Sequence, residues 1–191
     1  MIPLSVLDLS PIVQGGSPGQ SLRDSRNLAR AAERLGFARY WMAEHHNMTG
    51  IASAATAVAL AYVGEGTSTI RLGAGGVMLP NHAPLIIAEQ FGTLEAIYPG
   101  RIDLGVGRAP GTDQVTARAL RRNLAGGVDQ FPQDVMVLMA LLDDAPPRQT
   151  VRGVPGGVSK VPGWVVGASH HRAQPGRAPG LPHGVQSEMQ S

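Results

Sequence analysis

Short apolar runs alternate along this chain with longer segments in which apolar residues recur every three or four positions. The short runs predict β-strands and the longer segments predict amphipathic helices. Strands are predicted at residues 4–9, 39–43, 69–80, 101–107 and 161–167, and helices at 20–35, 51–63, 83–98, 112–124 and 131–142. The first four strands begin about 30 to 35 residues apart, the length of one strand with a crossover helix. This alternation predicts an α/β fold with a parallel sheet, either closed as a barrel or open and doubly wound.

The pattern stops near residue 169. The segment that follows carries Pro175, Pro179 and Pro182 at short spacing, which excludes a regular helix. The sequence therefore predicts a folded unit over residues 1–169 and a disordered tail over residues 170–191.

Composition narrows the class of protein. A chain of 191 residues with 43% hydrophobic residues can bury a sizeable core. It contains no cysteine, no long apolar run and no signal-peptide pattern, so we expect a cytoplasmic protein without membrane contact. Residues 1–147 carry 11 basic and 13 acidic side chains, whereas residues 148–191 carry 5 and 1. The excess of positive charge lies in residues 148–191, which contain a single aromatic residue, Trp164, and this does not suit nucleic-acid binding.

Ionisable residues cluster where the second predicted strand ends. Glu44, His45, His46 and Asn47 follow the large residues of that strand. Parallel α/β folds collect their chemistry at this end of a strand, so one histidine is expected to exchange protons in a pocket, with Glu44 fixing its tautomer or binding a neighbouring backbone group. Metal binding is disfavoured, because adjacent side chains at a strand end point to opposite faces. A loop that only caps a helix is the structural alternative.

Two glycine-rich stretches lie in the third and fourth strands. Residues 73–76 predict either a β-bulge or a backbone that lies against a flat ring. Residues 105–111 approach a dinucleotide fingerprint, but Pro110 stands where glycine or alanine is required. Arg108, directly after its strand, suits a phosphate or carboxylate clamp or, alternatively, a solvated loop. Asn81 and His82 are interpreted as caps of the third helix.

Together these stretches resemble the bacterial luciferase-like family of flavin-dependent monooxygenases. The resemblance is carried by residues 40–47, 73–84, 87–91 and 99–108, and it extends from about residue 3 to about residue 169. It implies a (β/α)8 barrel, usually dimeric, that binds reduced flavin mononucleotide (FMN). It also implies dioxygen as co-substrate and a separate flavin reductase as partner, while some relatives use a deazaflavin.

The resemblance also implies roles for individual residues. His45 would lie beside the flavin and assist proton transfer, with Glu44 as its neighbour. Gly75 and Gly76 would lie under the flavin ring, in a segment that can carry a cis peptide in the family. Gly107 would line the reactive face of the ring. The flavin phosphate would be bound by Arg108, Ser169 and the backbone of Ala168.

Length sets this chain apart from the family, whose members run well beyond 300 residues. The sequence predicts only the N-terminal half of a barrel, and a truncation or frameshift is one interpretation. Half a barrel leaves two strand edges without partners. The alternative functions are therefore an inactive half-barrel remnant or a non-catalytic subunit partner. An open-sheet nicotinamide dehydrogenase is disfavoured by Pro110.

Overall fold

One parallel sheet organises the molecule. The structure, a computed structural model, describes residues 3–109, 113–120, 130–167 and 183–185. Each strand of the sheet pairs with the strand that precedes it in the chain, and every pair is parallel. The strands are β1 (Ser5–Asp8), β2 (Arg39–Met42), β3 (Arg71–Met78), β4 (Ile102–Gly107), β5 (Gly163–Gly167) and β6 (His183–Val185).

The helices connect these strands. They are α1 (Pro18–Arg34), α2 (Thr56–Glu65), α3 (Pro84–Ile97), α4 (Gln114–Leu120) and α5 (Phe131–Leu142), and a 3₁₀ turn (Leu79–Asn81) follows β3. Helix α1 begins where Ser17 accepts a hydrogen bond from the backbone N–H of Gln20, with Pro18 in the first turn. No helix among the described residues is long and apolar enough to cross a bilayer.

Strand order distinguishes the two predicted architectures. In a doubly wound sheet the order of the strands reverses at a switch point. In a (β/α)8 barrel each new strand lies beside the strand that precedes it in the chain. The order from β1 to β6 is strictly sequential, so the structure confirms the barrel-type α/β fold.

The two faces of the sheet differ in chemistry. The helix-side face supplies much of the apolar core, with Tyr40, Met42, Leu72, Ile102 and Leu104 fully buried. The opposite face carries polar and aromatic side chains that contact one another: Arg39, Trp41, Arg71, Asp103 and Trp164. The alternation follows from the two-residue period of a strand.

Two elements differ from the sequence predictions. Helix α2 begins at Thr56, not near Ile51, because Ile51 instead forms an antiparallel bridge with Pro11. Strand β6 lies inside the tail that was predicted to be disordered, which corrects that prediction for residues 183–185. Proline excludes a helix but is compatible with a short edge strand, so the argument against a helix did not exclude a strand here. The remaining tail residues lie outside the described part of the chain.

Candidate active site at the carboxyl end of the sheet

The carboxyl ends of β2, β3 and β4 form one edge, and most of the predicted site residues lie there. Met42 pairs with Ala74, and Met78 pairs with Gly107 on the next strand. The segments after Met42 and Gly107 therefore leave the sheet on the same side as the end of β3. This register brings His45, Gly75 and Arg108 to one edge on three consecutive strands.

The loop after β2 is tied down on several sides. Ile12 donates its backbone N–H to Gly50, and Ser53 donates its hydroxyl to the carbonyl of Ala43. Asn47, with a φ of 56°, donates a side-chain hydrogen bond to Thr116 of α4. The loop is therefore fixed against its neighbours, and the histidines it carries have defined positions.

Glu44 is the buried centre of this loop, with 2% of its surface exposed. The Nε2 atoms of His46 and His82 each lie 2.7 Å from the same carboxylate oxygen, Oε1. The backbone N–H of Met78 donates to the other oxygen at 3.2 Å. Burial alone would raise the pKa of Glu44, but hydrogen bonds and charge from His82 and then His46 outweigh it and lower the pKa. Glu44 is therefore held as a carboxylate.

This geometry agrees with one interpretation of the sequence and corrects another. Glu44 was expected to fix the tautomer of a histidine or to bind a neighbouring backbone group, and its described hydrogen bonds, to His46, to His82 and to the backbone N–H of Met78, are of both kinds. His82 was expected to cap α3, whereas it reaches back to Glu44 across 38 positions of sequence. The spacing of residues within one segment cannot indicate a contact between the loops that follow two different strands. The one available signal was that both loops leave adjacent parallel strands at the same edge.

His45 differs from its neighbours in what its ring contacts. Its side chain is partly buried, and its Nδ1 atom is buried without a hydrogen-bond partner among the described residues. A buried polar atom of this kind is costly unless a ligand or water satisfies it. His45 thus offers a hydrogen-bonding position to a molecule that the chain itself does not provide.

The glycines of β3 serve the packing of the strand. The Gly75–Gly76 peptide is cis, as the family resemblance implies, and the β3–β4 register shifts between Ala74 and Val77. The predicted bulge is therefore confirmed. A Cβ atom on Gly75 would lie 2.8 Å from Trp41 and 2.9 Å from Leu7, and one on Gly76 would lie 2.8 Å from the carbonyl oxygen of Gly105. Close packing inside the sheet thus accounts for both glycines without a ligand.

The end of β4 is more open. A Cβ atom on Gly107 would meet only the Met78 side chain at short range, at 3.1 Å from sulfur. Arg108 is exposed and makes no hydrogen bond or ion pair with the residues that the structure describes. Its guanidinium is available to an anion. Ser169 and Ala168, the other predicted phosphate contacts, lie outside the described residues.

A small cavity opens beside the glutamate cluster. Its volume is about 90 Å³, and its walls include Glu44 and His82 together with Val77, Gln90 and Phe91. None of His45, Gly75 and Arg108 lines it. Ligand pockets for molecules of drug size measure about 300–1,000 Å³, so this cavity suits waters or a small ion and not a flavin.

A sequential parallel sheet with ionisable side chains at its carboxyl edge defines the barrel class of α/β enzymes. Within that class, the profile of the luciferase-like monooxygenase family matches residues 2–170, and the chain belongs to this family.

Relatives and solved structures agree with this membership. A luciferase-like monooxygenase of Escherichia coli strain K12 is 55% identical over 188 residues, covering 98% of this chain and 56% of the relative. The crystal structure of apo-MsnO8 superimposes with a TM-score of 0.87 at 38% identity, covering 96% of this chain and 55% of that one. The oxygenating constituent of 3,6-diketocamphane monooxygenase from Pseudomonas putida, in complex with FMN, superimposes with a TM-score of 0.70 at 16% identity. The match covers 88% of this chain and 52% of that one, and it shows a shared fold only. The chain spans about half the length of the curated relatives it matches.

Proposed function

We propose that this chain binds reduced FMN at the carboxyl edge of its sheet and uses dioxygen to oxygenate a small organic substrate. Reduced flavin, when bound, supplies the electrons that activate dioxygen. Membership of the family supports this assignment. The observation that carries it is the buried Nδ1 atom of His45, which has no partner among the described residues and lies where the family resemblance implies a flavin contact. This atom supports a cofactor contact at this edge of the sheet.

Two groups would serve binding and proton transfer. The exposed guanidinium of Arg108 would bind the flavin phosphate through charged hydrogen bonds, and Ser169 and the backbone of Ala168 would complete that phosphate site. His45 would hold or move a proton at Nδ1 beside the reacting part of the ring. Gly75, Gly76 and Gly107 would form the backbone surface next to the ring. Glu44 would act at a distance, by fixing the loop that carries His45.

Flavin titration tests the binding half of this proposal. Arg108→Ala should weaken FMN binding by about 1.5–3 kcal/mol, the range for a hydrogen bond to a charged group. The readout is quenching of flavin fluorescence in the full chain. The matched control is Arg30→Ala, which removes an exposed arginine from α1 and should leave the affinity unchanged. Equal affinities of the wild type and Arg108→Ala would contradict the phosphate role.

A second titration separates the cofactors. If the ligand is FMN, a deazaflavin of the F420 type should bind more weakly to the same preparation. Tighter binding of the deazaflavin would replace FMN in the proposal and leave the assignment to the family intact.

Turnover tests the catalytic half. With chemically reduced FMN supplied, His45→Ala should lower flavin-dependent oxygen consumption more than it lowers FMN affinity. Loss of affinity with normal turnover at saturating flavin would make His45 a binding residue only. A wild-type chain that binds no flavin would favour the alternative of an inactive half-barrel or a non-catalytic subunit.

Partners complete the proposal. A flavin reductase would supply reduced FMN, and a homodimer is expected from the resemblance. Helices α2 and α3 contact each other, and each exposes large hydrophobic side chains, Val58 and Tyr62 on α2 and Ile86 and Ile97 on α3, which suits contact with a second copy. Light scattering on the purified chain should give twice the monomer mass of 19.9 kDa, and a monomer mass would contradict the dimer.

A further inference from the structure

Three potential metal ligands converge beside the proposed flavin contacts. Glu44 and His46 come from the loop after β2, and His82 follows the turn after β3. One ligand atom of each side chain lies within 4.8 Å of the other two. Two imidazole nitrogens with one carboxylate oxygen form a donor set that suits zinc and neighbouring divalent transition ions. His45, adjacent to His46 in sequence, takes no part in the group, and the second histidine, His82, comes from the segment after β3.

The distances are close to those of a coordinated ion. Both Nε2 atoms lie 2.7 Å from Oε1 of Glu44. Zinc–nitrogen and zinc–oxygen bonds of about 2.0–2.2 Å at tetrahedral angles place ligand atoms about 3.3 Å apart. The two imidazoles must therefore withdraw from the carboxylate by about 0.6 Å, which small side-chain rotations provide. An ion would take the place of the protons that the rings now share with the carboxylate.

The surroundings of Glu44 resemble the support of a metal ligand. The backbone N–H of Met78 holds Oε2, which fixes the carboxylate and leaves Oε1 toward the two histidines. Ligating carboxylates are commonly held in this way by an outer hydrogen bond. Because Glu44 is buried, a cation at Oε1 would also compensate its charge.

An ion can reach this cluster and complete its coordination. The side chains of His46 and His82 are 16% and 24% exposed. The cavity of about 90 Å³ borders Glu44 and His82 and has room for several waters, one of which would serve as the fourth ligand.

We propose that Glu44, His46 and His82 bind one divalent transition-metal ion of the zinc type. The ion ties the loop after β2 to the turn after β3. Its site is separate from the contacts proposed for flavin, since His45 takes no part in it.

Zinc binding to the full chain tests the proposal. The chelator-treated protein is titrated with Zn²⁺ by calorimetry, in the wild type and in a His170→Ala/His171→Ala background that removes the other adjacent histidine pair. We expect one zinc per chain in both. His46→Ala and His82→Ala should each weaken binding by more than the ~10–100-fold typical of losing an outer-shell partner. His45→Ala, the matched control, should retain wild-type affinity.

Two further measurements guard against variants that fail to fold. Glu44→Gln preserves side-chain volume and one acceptor oxygen, so it should fold by circular dichroism yet bind zinc far more weakly. Co²⁺ added to the wild type should give the visible absorption of a four-coordinate nitrogen–oxygen site.

Absence of stoichiometric zinc binding in the wild type, or unchanged affinity in both His46→Ala and His82→Ala, would show that the cluster is only a hydrogen-bonded network. Neither outcome would affect flavin binding through Arg108, so this proposal and the proposed function fail separately.

Discussion

Two buried carboxylates lie toward opposite ends of the same sheet, and their partners differ. Asp103, near the amino end of β4, is bound by the guanidinium groups of Arg39 and Arg71 at 3.1 and 2.6 Å. Glu44, beyond the carboxyl end of β2, is bound by the imidazoles of His46 and His82. Both carboxylates are almost inaccessible, at 1% and 2% exposure.

The arginine partners of Asp103 and the histidine partners of Glu44 differ in whether they can exchange a proton. Guanidinium groups remain charged throughout the accessible pH range, so the Asp103 cluster is a permanent ion pair. Imidazoles can lose a proton or exchange it for a metal near neutral pH. In barrels of this type the amino face serves stability and the carboxyl face carries chemistry, and the two clusters follow that division.

The largest expected effect comes from removing Asp103. Asp103→Ala removes the acceptor that two guanidinium groups share. The side chains of Arg39 and Arg71 are 26% and 30% exposed, so we expect a loss near the lower end of the about 3–5 kcal/mol that breaking a fully buried pair costs. Urea unfolding should show this loss as a lower midpoint. The control is Asp144→Ala, which breaks the exposed pair with Lys160 and should cost about 0–1 kcal/mol. Equal midpoints for the two variants would show that the Asp103 cluster contributes no more than a surface pair.

Replacing Glu44 should cost less. Glu44→Gln keeps one acceptor oxygen for the two histidines, so we expect a loss of about 1.5–3 kcal/mol. The same urea assay measures it, with Glu65→Gln as control, because Glu65 forms an exposed pair with Arg26. A loss as large as that of Asp103→Ala would mean that the two clusters are equally rigid, and the proposed division of roles would be wrong.

Two glycines, Gly73 in the middle of the sheet and Gly107 at its carboxyl end, differ in how closely they are packed. A Cβ atom on Gly73, in the middle of the sheet, would lie 2.6 Å from the carbonyl oxygen of Asp103, so Gly73→Ala should cost about 1–3 kcal/mol through overpacking. Gly107→Ala meets only the flexible Met78 side chain at short range and should change stability by less than about 0.5 kcal/mol.

Titration with FMN then tests the proposed role of Gly107. Weaker flavin binding in a stable Gly107→Ala chain would support that role, and unchanged binding would remove Gly107 from the cofactor contacts.

Features that depend on residues close together in the sequence could be predicted, whereas contacts between residues far apart in the sequence could not. Strands and helices were predictable, because apolar periodicity and helix-stopping glycines such as Gly36 act over a few residues. Helix α5 was predicted at its observed bounds. The contact between Glu44 and His82 was not predictable, since it depends on the register of β2 against β3. Strand β6 was missed because three residues at a sheet edge carry too little periodicity to detect.

The smallest expected effect among the carboxylates concerns a third one, whose hydrogen-bond partners are neither arginine nor histidine. Oε1 of Glu33 accepts the backbone N–H groups of Ser68, Thr69 and Ile70 at 2.9, 2.6 and 2.9 Å, just before β3. Burial alone would raise the pKa of Glu33, but these hydrogen bonds, with that from the Thr69 hydroxyl, lower it from 4.5 to about 2.

Because the pKa of Glu33 is lower in the folded chain than in the unfolded chain, its stabilisation is present above pH 4.5 and is lost as the pH falls toward 2. Solvent screening limits the effect to about 1 kcal/mol or less. The difference in urea midpoint between the wild type and Glu33→Gln should therefore be largest near pH 6 and shrink steadily below pH 4.5. A Glu33→Gln difference that stays constant from pH 6 to pH 3 would mean that backbone amides at this edge do not discriminate the ionised carboxylate, and only the two buried clusters would remain to be compared.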